Sequence, residues 1–319
     1  MLLAGSGERL TYRELNARAN QLARHLRHLG DGWSQVVLYR EVLELLDAFQ
    51  TGRPHRLRPL RIQYKDFAAW QNARSFAREE SYWLERLAEL PDQLRLPYDF
   101  AQTDPRDFRG DMARTVLEGE VVAGLRALAR RKGTTLSNVM LVVFELFLYQ
   151  WTRQNDICVG LSAANRNHPD LENLIGFFVN IVPIRCQVSD DLEFDDLLAL
   201  VVERTYEAFE HQDYPFDLLI RKLNPARYTN RQPLVNVIYG FQNFADVHVD
   251  VFDRQPTPVE LRGRTDNALD WTMFDFTFGT SKFDLTLFVF EDADELQLTL
   301  EFDSTLFLAK TILQQLETI

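Results

Sequence analysis

The longest apolar stretch of the chain, Val139 to Tyr149, constrains its fold more than any other feature. It lies within a predicted helix, Leu136 to Tyr149, that opens at Thr135, is apolar on nearly every side and is interrupted by Glu145. A helix of that kind must be covered all round, so it belongs in the interior of a layered domain. It is too short to span a bilayer. Two β-branched runs follow, Ile157 to Leu161 and Ile181 to Cys186, and both suit interior strands.

The surrounding pattern fills in the layers. Val122, Leu125, Leu128 and Ala129 mark an amphipathic helix closed by Gly133, and a long helix is predicted from Phe194 to Glu210. Val235 to Tyr239 and Phe283 to Phe290 read as further strands. Glu295 to Glu301 alternates polar residues with Leu296, Leu298 and Leu300, which gives one wet and one dry face. The turn Glu291-Asp-Ala-Asp294 makes it the hairpin partner of the preceding strand. Mixed order of this kind predicts an α/β sandwich (α+β), a largely antiparallel sheet with helices on one face.

The N-terminal part differs. Thr11 and Glu14 form a capping box for a helix carrying Leu15, Ala19, Leu22, Ala23 and Leu26, which Gly30 ends. A second helix places Leu38, Val42, Leu45, Leu46 and Phe49 on one face before Gly52 and Pro54 stop it. A Pro- and Arg-rich connector, Gly52 to Leu60, leads to Tyr64-Lys-Asp-Phe-Ala-Ala-Trp70 and a helix through Tyr82, Trp83, Leu84 and Leu87. A loop with Pro91, Pro97 and Pro105 follows, and the main boundary is expected near Pro97, giving segments 1–30, 31–96 and 97–319.

Composition narrows the function classes. The 319 residues suggest about two units. With 47 acidic against 35 basic side chains the formal charge is -12, a poor match to general nucleic-acid binding. Cys158 and Cys186 sit in apolar stretches without metal-ligand spacing and read as small buried hydrophobes. No secretory apolar region follows Met1, so a soluble cytoplasmic chain is expected.

Singly, the polar clusters are ordinary. Asp31-Gly32-Trp33-Ser34 could be a turn, Ile175-Gly-Phe-Phe-Val-Asn180 a core strand entered through a glycine turn, and His211-Gln-Asp-Tyr-Pro-Phe216 a helix end. In this order, with Tyr64, Asp66 and Trp70, Arg185, Arg227 to Leu234 and Lys282-Phe-Asp-Leu285, the chain from Asp31 onward resembles the condensation domains of nonribosomal peptide synthetases.

The resemblance implies two lobes of chloramphenicol-acetyltransferase type facing across a tunnel. It implies no directly bound cofactor. Substrates would arrive on the phosphopantetheine arms of carrier proteins, and an acceptor amine would attack an acyl thioester to form a peptide bond. It also implies partners among other synthetase modules, with no nucleic acid, membrane or metal. The family motif has two histidines, three variable residues, then Asp-Gly. Asp31 and Gly32 match it, but the histidine positions hold Leu26 and Arg27. His28 is displaced by one residue, which rotates a helical side chain by about 100°. Arg27 cannot accept a proton. His28 and His25 read as solvent-facing, with His28 the remaining candidate base.

By the same resemblance Trp33, Ser34, Gly176 and Asn180 line the tunnel. Asn180 can equally be a satisfied core amide, and Trp33 packing. Ile181 stands where the family has threonine. His211, Gln212, Asp213, Pro215 and Phe216 tie a helix end to a loop, Asp31 holds the motif loop, and Lys282 with Asp284 opens a strand at the lobe interface. Leu10-Thr-Tyr-Arg-Glu-Leu15 and Asn16 to Leu22 instead resemble the start of an adenylation domain. The chain therefore reads as an adenylation-like start fused to a condensation domain lacking most of its first lobe, with the second helix left partly uncovered. Impaired turnover is expected. The alternatives are a non-catalytic remnant that binds carrier protein and a stand-alone acyltransferase using coenzyme A.

Overall fold

A computed structural model describes residues 2–3, 9–10, 32–89, 93–102, 106–225, 232–242, 279–291 and 295–319. The expected helix over Leu15 to Leu26, the catalytic-motif residues His28 and Asp31, the 227–231 part of the Arg227 to Leu234 motif and the 292–294 turn lie outside them.

The chain divides into two compact units. The smaller takes its described residues from the stretch ending at Ser75 and from Ala164–Val179, and the larger begins at Phe76. The unit boundary thus falls earlier than residue 97. Trp83, Leu87, Leu94 and Leu96 explain why, since all four are buried in the larger unit's core.

The smaller unit holds α1 (Gly32–Thr51), α2 (Tyr64–Ala73) and a short 3-10 turn, Pro169–Leu171. It also holds a two-residue antiparallel ladder, Leu2–Leu3 with Arg9–Leu10. Glu44 of α1 accepts from Arg53 Nη1 at 2.7 Å and from the Arg56 amide at 2.5 Å, which ties the connector to the helix. Those donors hold the Glu44 carboxyl down at about 2.

The larger unit is built on one six-stranded sheet. Its strands are β1 (Gly110–Glu118), β2 (Asp156–Ala163), β3 (Asn180–Gln187), β4 (Val237–Gln242), β5 (Leu285–Glu291) and β6 (Glu295–Asp303). They lie in the order β1-β6-β5-β4-β2-β3. The β1/β6, β5/β6 and β2/β3 pairs are antiparallel, and β2/β4 and β4/β5 are parallel. The helices are α3 (Ala77–Arg86), α4 (Gly119–Arg131), α5 (Leu136–Thr152), α6 (Phe194–Glu210), α7 (Phe216–Leu223) and α8 (Ala309–Leu316).

Helix α5 is buried on both sides as its composition requires, and Thr135 caps it by accepting the Asn138 amide at 3.2 Å. The sheet is the expected mixed one, and its strand β2, beside the edge strand β3, is covered on both faces. β2 buries five consecutive residues, Ile157 to Leu161, which is possible only where both faces are covered. Several elements escaped sequence reading, among them helix α2, whose residues were read only as a motif, and β1, α7 and α8. The strand expected through Ile175 to Asn180 begins only at Asn180, and residues 175–179 are loop. Among the described residues no helix is long and apolar enough to cross a membrane.

Candidate functional site

In the smaller unit the family motifs meet at the first turn of α1. Gly32 opens the helix and Ser34 is buried two residues later. Ser34 Oγ donates to the Gly176 carbonyl at 2.8 Å and accepts from the Gly176 amide at 3.1 Å and Arg166 Nη2 at 2.8 Å. A hydroxyl offers one hydrogen and two lone pairs, so these three bonds use it completely. Trp33 Nε1 donates to the Glu172 carbonyl at 2.8 Å.

Gly176 is where the motifs interlock. A Cβ added there would lie 2.2 Å from Cδ2 of Tyr64, so only glycine leaves room for that ring. The Tyr64 hydroxyl donates to the Phe177 carbonyl at 2.9 Å, and the ring meets Phe178 edge-on at 5.1 Å. Phe67 packs on Phe178 at 4.8 Å, and the Arg166 guanidinium lies 4.1 Å from the Phe178 ring centre. Arg166 Nη1 also donates to the Leu174 carbonyl at 2.8 Å. Sequence reasoning did not single out Arg166, whose partners lie on α1 and on the 171–178 stretch. Asp66 acts locally, as its carboxylate accepts the Gln63 amide at 2.8 Å to cap α2. Trp70 is about half exposed, with Arg74 over its ring.

In the larger unit Asn180 opens β3 and gathers the loop after α6. Its Nδ2 donates to the carbonyls of Gln212 at 2.7 Å and Tyr214 at 2.8 Å, and its Oδ1 accepts the Phe216 amide at 3.0 Å. Both amide hydrogens are therefore committed inside the unit. Gln212 Nε2 donates back to the Phe209 carbonyl at 3.0 Å, and the Pro215 carbonyl accepts the Leu218 and Leu219 amides of α7. Asp213 lies in the same loop.

His211 ends α6, buried and stacked on Tyr82 at 4.0 Å, and its carbonyl accepts from Trp83 Nε1 at 3.0 Å. Burial, aided by the nearby charge of Arg78, pushes its pKa below the ordinary imidazole range. Arg185 pairs with Asp156 through two nitrogens, at 2.9 and 2.7 Å.

A buried ionic cluster in the larger unit also went unread. Arg106 contacts Asp303 at 2.7 Å and Asp284 at 3.2 Å, with all three side chains at most 4% exposed. Asp284 also accepts from Tyr98 at 2.7 Å and Asn236 at 2.9 Å, yet burial still pushes its pKa up. Asp284 is thus placed in a core network within the larger unit. Among the described residues no group of three His, Cys, Asp or Glu could hold a metal ion.

Two motif clusters are therefore built, each satisfied within its own unit. A condensation-domain family model matches residues 25–319. The chain belongs to the condensation-domain family. It is 35% identical over 288 residues to malpibaldin synthetase of Mortierella alpina, covering 89% of this chain and 5% of that protein. Bacitracin synthase 1 of Bacillus licheniformis is 33% identical over 288 residues, 89% of this chain and 5% of that one. The chain thus spans a small fraction of the curated relatives it matches.

Among solved structures, the X-domain from teicoplanin biosynthesis aligns with TM-score 0.75 at 22% identity, over 91% of this chain and 65% of that one. The condensation domain from Monacolin K polyketide synthase aligns at 0.68 and 17%, with coverage of 91% and 65%. These likenesses establish the mixed α/β condensation fold. The matched region begins at residue 25, so Arg27, His28 and Asp31 lie inside it.

Proposed function

We propose that this chain is a condensation-domain protein of nonribosomal peptide synthesis whose own amide-forming turnover is impaired. The family reaction joins an acceptor amine to a carrier-bound acyl thioester. The amine nitrogen attacks the carbonyl carbon, the C–N bond forms, the C–S bond breaks, and the released thiol keeps a proton from the amine. That sequence needs a neutral group to relieve the amine of its proton and donors for the oxyanion. The observation that carries the reading is Arg27 at the histidine position of an otherwise ordered motif set. A guanidinium stays protonated and cannot serve as base.

Other side chains do not replace it. Ser34 is committed to the Gly176 backbone and the Arg166 guanidinium, and Asn180 to backbone partners. His211 is packed against Tyr82 at the end of α6. We assign Gly176, Asn180, Trp33 and Ser34 to the frame of the substrate tunnel rather than to proton transfer. Partners are acyl and peptidyl carrier proteins bearing phosphopantetheine arms, in the cytoplasm, with no cofactor held by the chain itself. The segment 1–30 is read as the start of an adenylation domain joined near Gly30-Asp31.

The test supplies the chain with a donor and an acceptor carrier, each loaded with an aminoacyl thioester, and follows amide product by mass spectrometry. Product formation no faster than in a protein-free control supports the proposal. Product that accumulates with the native chain and disappears in His28→Ala overturns it.

A further inference from the structure

The densest positive stretch of the chain is the connector that follows α1. Between Asp47 and Asp66 the sequence carries Arg53, Arg56, Arg58, Arg61 and Lys65 and no acidic residue, in a chain where 47 acidic side chains outnumber 35 basic ones. Arg53 is engaged within the smaller unit. Its Nη1 and Nη2 lie 2.7 and 3.0 Å from the Glu44 carboxylate, and it also pairs with Asp47. The Arg56 amide adds a bond to Glu44 at 2.5 Å, so the start of the connector is fastened to α1. Beyond that anchor Arg56, Arg58, Arg61 and Lys65 are exposed. Arg61 reaches Asp170 at 3.4 Å, yet its side chain stays 80% exposed.

Backbone and apolar neighbours narrow what such a strip takes. Residues from Arg53 to Leu60 form neither helix nor strand. Pro54 and Pro59 fix their own φ and hold Arg53 and Arg58, the residues before them, to extended backbone. Among the described residues the amides of Leu57, Arg58, Leu60 and Arg61 meet no hydrogen-bond acceptor, so they are left to water. Beside the cations, Leu60 and Tyr64 are exposed, as is Phe177, whose carbonyl accepts from the Tyr64 hydroxyl. From Arg56 to Lys65 the chain can extend over at most about 30 Å. A nucleic-acid duplex or an anionic membrane carries its charge well past that length, over a chain that is acidic as a whole, and is repelled there. A short acidic peptide keeps its charge within the strip, and its carbonyls match the open amides.

We propose that the Arg56–Arg58–Arg61–Lys65 strip is a docking surface for an acidic polypeptide segment that also carries apolar side chains. Carboxylates of the segment meet the four cations, and its apolar side chains lie against Leu60 and Tyr64. Because the prolines already restrict the strip, little ordering is left to oppose binding. Docking here is independent of amide formation, so this proposal and the loss of turnover fail separately.

The experiment titrates the full chain into a short fluorescein-labelled peptide of repeating Glu-Leu-Asp and follows fluorescence anisotropy. Saturable binding that weakens as salt rises is expected. Arg58→Glu combined with Lys65→Glu leaves the Arg53 and Arg61 ion pairs in place and should weaken binding by about tenfold or more. Arg58→Gln with Lys65→Gln, which removes the charges without reversing them, should give a smaller loss. Arg130→Glu with Arg131→Glu makes the same change in net charge at two exposed arginines in the last turn of α4, in the larger unit, and leaves binding unchanged. Circular dichroism melts confirm that each variant folds. The proposal is overturned by absence of saturable binding or by equal losses in the α4 pair and the strip pair. Tighter binding of a single-stranded oligonucleotide or of phosphatidylserine vesicles than of the peptide overturns it as well.

Discussion

Asn180 joins β3 to the loop after α6 through three hydrogen bonds at 2.7, 2.8 and 3.0 Å, and its replacement separates a structural role from a tunnel-facing one. Asn180→Ala removes all three. At about 0.5–1.5 kcal/mol net for each bond, the larger unit should lose about 1.5–4.5 kcal/mol. Asn180→Asp is the sharper case, because it keeps the shape and the acceptor for Phe216 but replaces a two-hydrogen donor with an oxygen. At pH 7 that oxygen would face the carbonyls of Gln212 and Tyr214, and three partial negative charges would meet in a buried site.

Asn180→Asp should therefore be less stable than Asn180→Ala at pH 7. As pH falls the variant's carboxyl protonates, one O–H can donate to a carbonyl, and the gap should narrow. Urea denaturation followed by the fluorescence of buried Trp83, whose indole donates to the His211 carbonyl beside this loop, reads the change. If Asn180→Ala costs under about 0.5 kcal/mol, or Asn180→Asp is as stable as the native chain at pH 7, the structural assignment is refuted.

Other predictions concern the remaining clusters. Gly176→Ala should cost about 1–3 kcal/mol by displacing the Tyr64 ring and breaking its hydroxyl bond, and far less in a Tyr64→Ala background, as a double-mutant cycle would read. Arg106→Met leaves Asp284 and Asp303 buried without their cation and should destabilise by about 3–5 kcal/mol in thermal or urea unfolding. Burial pushes Glu145 up to about 8 and Glu301 up to about 7, so both favour the protonated folded state. Their contribution is full below about pH 4.5, the unfolded value, and is lost as pH rises through 7 and 8. Melting temperature should fall over that range, and less steeply in Glu145→Gln. Burial also holds Cys158 up at about 12 and raises Cys186, so a thiol reagent should label neither until the chain is unfolded.

Legibility of the fold followed the strength of local signals. Helix α6 carries Asp195 and Asp196 in its first turn and a regular apolar period, and its bounds were readable as they stand. Strand β1 was not, because Ala113 alone of its nine residues is buried, and the alternation that runs on from it turns Thr115 inward and apolar Val116 outward, so residue type does not mark the dry face. Helices α7 and α8 have eight residues each, too few for a period to stand out. Ile175 to Val179 has strand-like composition, but Gly176 is committed to Ser34 and to the Tyr64 ring, so the segment is spent as loop.

The site was legible as motifs and not as contacts. That Ser34, Tyr64 and Gly176 matter together follows from a missing Cβ and a saturated hydroxyl, which spacing does not show. Arg106 and Asp303 are 197 residues apart, and nothing local announces their pairing. The order of motifs was enough to assign the family, while the roles of its members required their partners.

Single-turnover amide formation from loaded carriers, measured with and without the chain between pH 6 and 9, tests most directly whether the retained motifs build a frame without a base. Identical curves at every pH are the expected result. A rate that climbs through a histidine titration above the protein-free curve, and flattens in His28→Ala, would contradict the account.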